Sequence, residues 1–314
     1  MTSMHQTLTE IDLNTSPRVL LLGNGLNRAY EGFSWSDMIA GLGYREFSLR
    51  ERRAIASLPY PLQTVIATGD RIDTRLMENA QKYDTDLLPA QQALFQCFTD
   101  LPWDAVLTTN YTFEIEKAID PSFNCRTKAY LPFQMRTVDD APEEDAYALY
   151  QYYKMEDAAP IWHIHGDLTQ PDSMILGHYY YGNAISRLHN YSRVFTKEIA
   201  RREKAGSAFV PLSWVDYFLL GDVYIVGLGM DYSESDLWWL VNCKKIFGRG
   251  SIRLYYATDE KLKRPVERIS YMRKCLAKQL LCEAYAVEYI PESLESSDYA
   301  DYYRRTAETI SQYL

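Results

Sequence analysis

The sequence predicts an α/β chain built on a doubly wound parallel sheet, with a helical insertion or small helical subdomain after the first strand. Three observations predict it. Short apolar runs such as Val19-Leu-Leu-Leu22 and Val223-Tyr-Ile-Val226 lack polar alternation, as strands buried on both faces require. Stretches of helical periodicity separate these runs, which is the pattern of parallel strands joined by helical crossovers. The runs also stop abruptly, at glycine or at polar residues, where a parallel sheet turns its carboxyl edge to a ligand.

Taken in order, the first strand spans residues 18–22 and is stopped by Gly23. Residues 34–100 read as successive helices, with Leu87, Leu94 and Phe98 near helical spacing in the last of them. A second strand covers 104–108, after the break at Pro102 and Trp103. DDAPEEDA at 139–146 is a solvated acidic loop, and YALYQYYKM at 147–155 fits a strand or a helix. A third strand, 160–165, ends before Gly166, with His163 and His165 two residues apart and expected on one face. A helix follows near 184–205, a strand at 222–226, a helix at 234–247 and a strand at 251–256. A long amphipathic helix at 264–282, a short strand at 287–290 and a terminal helix complete the pattern. The whole chain, 1–314, reads as one domain, its core formed by 18–30 and 104–290 and its insertion by 34–100.

Charge narrows the function classes. The 314 residues carry 42 acidic and 33 basic side chains, net −9, so a dedicated nucleic-acid surface is not expected. A dianionic ligand would have to be attracted locally, by backbone N–H groups and helix N-termini. The five cysteines, at 97, 125, 243, 275 and 282, form no CxxC pair and suit reduced thiols in a cytoplasmic protein. No basic, apolar leader opens the chain, and no run approaches the length of a membrane span.

Four strand ends carry the candidate chemistry: Gly23-Asn-Gly-Leu-Asn27, Thr108-Thr-Asn-Tyr-Thr112, His163-Ile-His-Gly166 and Gly227-Leu-Gly-Met-Asp231. Gly23-x-Gly25 and Gly227-x-Gly229 suit turns where backbone approaches a phosphate, and equally suit tight strand–helix turns. Arg28 stands where a dehydrogenase fingerprint needs a third small residue. Ser233 and Ser235 are candidate N-caps of the helix that follows. Asn110 is either a turn former or a donor to sugar hydroxyls. His165 is either a satisfied core histidine or a base at the ligand edge. Two histidines at i, i+2 could hold a metal, but no third ligand has convincing spacing, and no zinc is expected.

Together, GNGLNRAY…SW (23–35), TTNYT (108–112), HIHG (163–166) and GLGMDYSESDLWWL (227–240) resemble the SIR2-like, or sirtuin-related, family. The likeness is to its zinc-free bacterial branch of NAD+-hydrolysing antiphage defence proteins, and it runs in order from about residue 18 to about 290. It implies a Rossmann-like fold with NAD+ as substrate. It implies that Gly23, Asn24 and Gly25 cradle phosphate, with Asn27 and Tyr111 in the same binding motifs. Asn110 would contact the nicotinamide ribose and the attacking water, and His165 would act as base. Gly227, Gly229 and Ser233 would belong to the second loop, against the adenosine half, with the strand end at 256–259 bounding the adenine. Two departures stand out. The paired zinc cysteines of the deacylases are missing, which turns the acceptor from lysine to water. Thr112 replaces an aspartate that helps hold the carboxamide, a role that Glu114 is placed to take.

The implied activity is an NAD+ glycohydrolase, latent until subunits assemble or a separate sensor protein triggers it. Three alternatives use the same residues: a non-catalytic sensor of NAD+ or ADP-ribose, an NAD-dependent deacylase, and an interaction protein with a vestigial pocket. The 26 tyrosines, Tyr179-Tyr-Tyr181 and those at 150–153 among them, serve either as oligomer contacts or as caps on the core.

Overall fold

The computed structural model describes residues 8–30, 47–69, 84–124, 148–170, 173–259, 264–294 and 298–314. The helical reading of 34–46 and 70–83, the acidic loop at 139–146 and Cys125 lie outside the described residues. Strands β1 (Arg18–Leu22), β2 (Ala105–Thr108), β3 (Ile161–His163), β4 (Asp222–Val226), β5 (Ile252–Thr258) and β6 (Glu288–Ser293) form one parallel sheet. Its order is β3-β2-β1-β4-β5-β6, a doubly wound, Rossmann-like arrangement.

Alternation along the strands sends side chains to two layers. Val19, Leu21, Leu107, Val223, Ile225 and Leu254 pack beneath helices α5 (His178–Ala205), α6 (Trp214–Leu220) and α7 (Ser235–Phe247). Leu20, Leu22, Val106 and Val226 face the other way, onto α3 (Pro89–Thr99), α4 (Glu114–Ile119) and α9 (Tyr299–Ser311). Helices α1 (Leu49–Ile55) and α2 (Tyr60–Thr68) precede α3, and α8 (Pro265–Ala284) joins β5 to β6. No described helix is long and apolar enough to cross a membrane.

Register aligns the ends of four strands. Leu22 pairs with Thr108 and with Val226, and Thr108 pairs with His163. The four polar segments that follow these residues therefore emerge at one edge of the sheet. The chain winds outward from β1 in both directions, so the crevice between β1 and β4 is the topological switch point.

Several sequence expectations shift. The strand read as 160–165 ends at His163, because the Gly166 N–H returns to the His163 carbonyl (2.9 Å) and closes a turn with Gly166 at φ +83°. The ambiguous segment at 147–155 gives one helical turn at 148–150, and then Tyr153 bridges antiparallel to Ile161. Helix α6, which no periodicity flagged, is apolar but for Asp216 and wholly buried. Cys243 and Cys282 are buried, whereas Cys97 and Cys275 are half-buried, and all four are free thiols.

The end of α6 depends on one lysine. Lys244 of α7 directs its ammonium into the carbonyls of Phe218 (2.9 Å), Leu219 (3.3 Å) and Gly221 (2.6 Å), and also bonds Arg249 O. These include terminal helix carbonyls with no partner in the helix itself. Lys244→Met keeps the length of the side chain and removes the donor. It should cost about 2–4 kcal/mol, as expected when buried acceptors lose a charged partner. A denaturant midpoint equal to wild type would contradict this.

Candidate functional site

A cavity of about 580 Å³ opens at the switch point. Asn24 and Gly25 after β1, Thr109 after β2, and Gly227 through Met230 after β4 line it, with Tyr255, Tyr256 and Ala257 on the β5 side. The two glycine turns make its floor by packing on one another. The Gly23 N–H donates to Val226 O (2.9 Å) and the Gly25 N–H to Gly227 O (2.7 Å). Their donors are thus used between the turns, and what they lend the cavity is closeness of backbone. A Cβ on Gly23 would lie 2.7 Å from the Gly227 carbonyl oxygen. Gly229 differs, since nothing lies within 4 Å of the corresponding position.

Behind the first turn, a polar chain ties the sequence motifs together. The amide nitrogen of Asn27 donates to Asn24 Oδ1 (2.6 Å) and to Glu114 Oε1 (3.1 Å), and Gln91 donates to Asn27 Oδ1 (2.9 Å). The Thr112 hydroxyl donates to the same Glu114 oxygen at 2.6 Å. Burial raises the Glu114 pKa against these bonds. Glu114 therefore sits directly on Thr112, whose side chain is shorter than the expected aspartate, and its Oε2 is buried without a partner. Asn27 itself is buried and does not reach the cavity wall.

Asn110 is held by its backbone on both sides. Its N–H donates to Thr108 Oγ1 (3.0 Å), whose own hydroxyl donates to Leu22 O (2.8 Å). Its carbonyl meets His163 Nδ1 at 2.7 Å, and His163 Nε2 meets Glu116 Oε1 at 2.9 Å. Both ring nitrogens thus face acceptors, which an imidazolium satisfies by donating twice. Burial opposes that charge, but Glu116, Asp167 and the Asn110 carbonyl outweigh it and raise the His163 pKa to about 9. The Asn110 side chain, by contrast, is 5% exposed, and neither its nitrogen nor its oxygen has a partner.

His165 goes elsewhere. Its Nε2 lies 3.0 Å from Asp236 Oδ2, and its Nδ1 is 4.0 Å from Glu234 Oε2. The two histidines were expected on one face. They part because the strand ends between them, so they do not converge on a common ligand. Burial lowers the His165 pKa, and Asp236, by charge and by hydrogen bond, together with Glu234 overcomes this and raises it. Tyr181 donates to Glu234 Oε2 at 3.0 Å and lies edge-on to the His165 ring. Tyr111 donates to Ile175 O (2.7 Å), and burial with the charges of Glu234 and Asp236 pushes its pKa far above the ordinary range. His165, Glu234 and Asp236 bring one donor atom each within 4.8 Å of the others. The 3.0 Å contact has hydrogen-bond length, so the cluster can share a proton as it stands.

Other expectations are met differently. Ser233 donates to Asp231 Oδ1 (2.7 Å) and is neither on the cavity wall nor an N-cap. Helix α7 begins at Ser235, with Glu234 at the cap position and no side-chain cap bond, so Ser235 does not cap it either. Composition pointed to backbone N–H groups and helix N-termini, and two basic side chains also reach the cavity. Arg28 bonds the Tyr299 hydroxyl (3.2 Å) and lies over its ring, and Lys278 bonds Gly229 O and Met230 O (3.2 Å) beside Tyr256. Of the tyrosines, Tyr181 lines the cavity, Tyr150 and Tyr153 are buried, and Tyr179 is exposed.

Residues 104–205 match the family model of the SIR2-like domain. The match covers roughly a third of the chain and includes β2, the Asn110 turn, β3, His165 and α5. SIR2-like domains commonly use NAD as a substrate. No curated protein matches the chain.

Proposed function

We propose that the cavity binds NAD+ and that the chain cleaves its nicotinamide–ribose bond with water as acceptor, giving nicotinamide and ADP-ribose. The observation that carries this reading is the Asn110 amide, buried with both polar atoms unpaired at the sheet edge where ligands bind. Such an amide costs free energy unless ligand hydroxyls or an ordered water complete it. Within the matched SIR2-like segment, a ribose and an attacking water are the fitting partners.

The chemistry follows from the leaving group. Breaking the bond returns an electron pair to the pyridinium nitrogen, and the barrier lies in the oxocarbenium-like ribosyl centre. Asn110 orients water or ribose, His165 accepts a proton, and binding along the rest of the dinucleotide holds the reacting end in place. Arg28 and Lys278 supply positive charge for the phosphates within an acidic chain. Water is the acceptor because the five cysteines contain no CxxC pair of the kind zinc-dependent deacylases carry.

Access supports the idea of latency. Neither Asn110 nor His165 is on the cavity wall. Ile175 and Leu176 are, and the Ile175 N–H is bonded to His165 O (2.9 Å). On this reading the segment moves to admit nicotinamide to Asn110, and subunit assembly or a triggering partner, as in a defence effector, would act there. Incubating purified protein with NAD+ at several protein concentrations should release nicotinamide, with Asn110→Ala slower by roughly 10²–10⁴-fold. Binding of NAD+ with no release at any concentration would favour the sensor instead.

A further inference from the structure

The reading above leaves a chemical gap at the cavity wall. His165 is 1% exposed and does not line the cavity, so in this conformation it meets a water held there only through an intermediary. Glu234 does line it, and Glu234 Oε2 is the acidic atom nearest His165 Nδ1, at 4.0 Å. On the far side of the ring, Asp236 is 2% exposed, holds Nε2 through Oδ2 and keeps Oδ1 unpaired. A carboxylate on Nε2 fixes the neutral ring as the Nε2–H tautomer and leaves the lone pair on Nδ1, toward Glu234. Tyr181 fixes Glu234 by a hydrogen bond to the same oxygen that faces the ring.

We infer that Glu234 carries protons between the cavity and His165, and that Asp236 positions the ring for this transfer. The inference rests on the NAD+ reading for its substrate. In the step itself, the water oxygen bonds to ribose C1′ as the C1′–nitrogen bond breaks and its electron pair moves onto the nicotinamide ring. The proton lost by water passes to the Glu234 carboxylate and then across the 4.0 Å from Oε2 to His165 Nδ1. It returns to solvent by the same route when ADP-ribose leaves, while Asp236 keeps its hold on Nε2. The groups facing the ring are Asp236 and Glu234 at the start of α7 and Tyr181 of α5, and Tyr111 after β2 lies near the same two carboxylates.

Two measurements on the full chain test this. The first is the NMR titration of the His165 ring, identified among the five histidines by its loss in His165→Gln. Its midpoint should lie above the ordinary value of about 6.5 in wild type and fall in both Asp236→Asn and Glu234→Gln. The second is nicotinamide release. Glu234→Gln should lower kcat about 10²-fold with KM changed little, and Asp236→Asn should move the rising limb of the pH profile to lower pH. The midpoint reports the electrostatic coupling of the three groups, and the fall in kcat at unchanged KM is what a purely structural role would not give. A Glu234→Gln protein with wild-type rate and midpoint overturns the inference while NAD+ cleavage stands. If wild type releases no nicotinamide, the functional reading fails and the titration alone decides whether the three groups are coupled. Loss of either readout on adding EDTA would assign the cluster to a cation and overturn the proton route.

Discussion

His165→Gln protein should cleave NAD+ roughly 10²–10⁴-fold more slowly than wild type, the usual contribution of a positioned acid–base group. Glutamine is the informative replacement, because its amide can still donate to Asp236 Oδ2 where the ring now does at 3.0 Å. Alanine would leave Asp236 buried, charged and unpaired, at about 3–5 kcal/mol for breaking a buried pair, and lost activity could then mean lost fold. A glutamine variant that melts near wild type and yet consumes NAD+ at the wild-type rate would remove His165 from the reaction. The pH dependence has a definite sign. Asp236 and Glu234 raise the His165 pKa against burial, so its contribution to stability is fully present below the unfolded value of about 6.5. That contribution is lost as pH rises through the higher folded value. Turnover should run the opposite way, rising with pH over that same interval as the neutral ring appears. The enzyme should therefore work fastest where His165 has begun to give up its stabilising charge.

The sheet was legible because its signal is local. A run such as Val19-Leu-Leu-Leu22 states both that it is a strand and that both faces are covered, and β1, β2 and β4 lie where such runs are. The edge that carries the candidate site was legible for the same reason, since Gly23 and Gly227 directly follow apolar runs and Asn110 and Gly166 stand a few residues beyond them. What pairs with what was not legible. Asp236 reaches His165 across 71 positions and Glu116 reaches His163 across 47, and no local pattern states either pairing. The segment SESD suggested serine caps, and the acidic residues that alternate with the serines are the ones that face the histidine. An i, i+2 carboxylate pair a few residues after a glycine turn was the available signal. Helix α6 was missed because it is buried on all sides and so has no polar face to give it a period. Lys278 and Arg28 were unreadable from composition, since a net charge of −9 describes the surface as a whole and says nothing of one cavity.

Gly25→Ala should be the most damaging single-methyl change on the cavity floor, and Gly229→Ala among the mildest. An added Cβ at position 25 would lie 2.5 Å from the Gly227 carbonyl oxygen and 2.6 Å from its Cα, and would strike the Tyr303 hydroxyl. The first two are backbone atoms and cannot rotate aside. Nor can Gly227 withdraw cheaply. Its φ is +67°, its carbonyl accepts the Gly25 N–H at 2.7 Å, and a Cβ on it would meet Leu26 at 2.9 Å. The variant should therefore lose about 3 kcal/mol, the upper part of the range for overpacking a close-packed site. Its denaturant midpoint should fall accordingly, and nicotinamide release should fall further than the loss of folded protein explains. The excess arises because prising the turns apart moves Asn24 and Gly227, which both line the cavity, relative to Asn110. Gly229 has open space where its Cβ would go, so alanine there should change stability by no more than about 0.5 kcal/mol. A fall in NAD+ affinity without a fall in stability at Gly229 would mean that the ligand fills that space. Equal, mild effects at both positions would instead mean that the two turns do not need their backbone contact, and that the cavity floor is set by something other than the packing of β1 against β4.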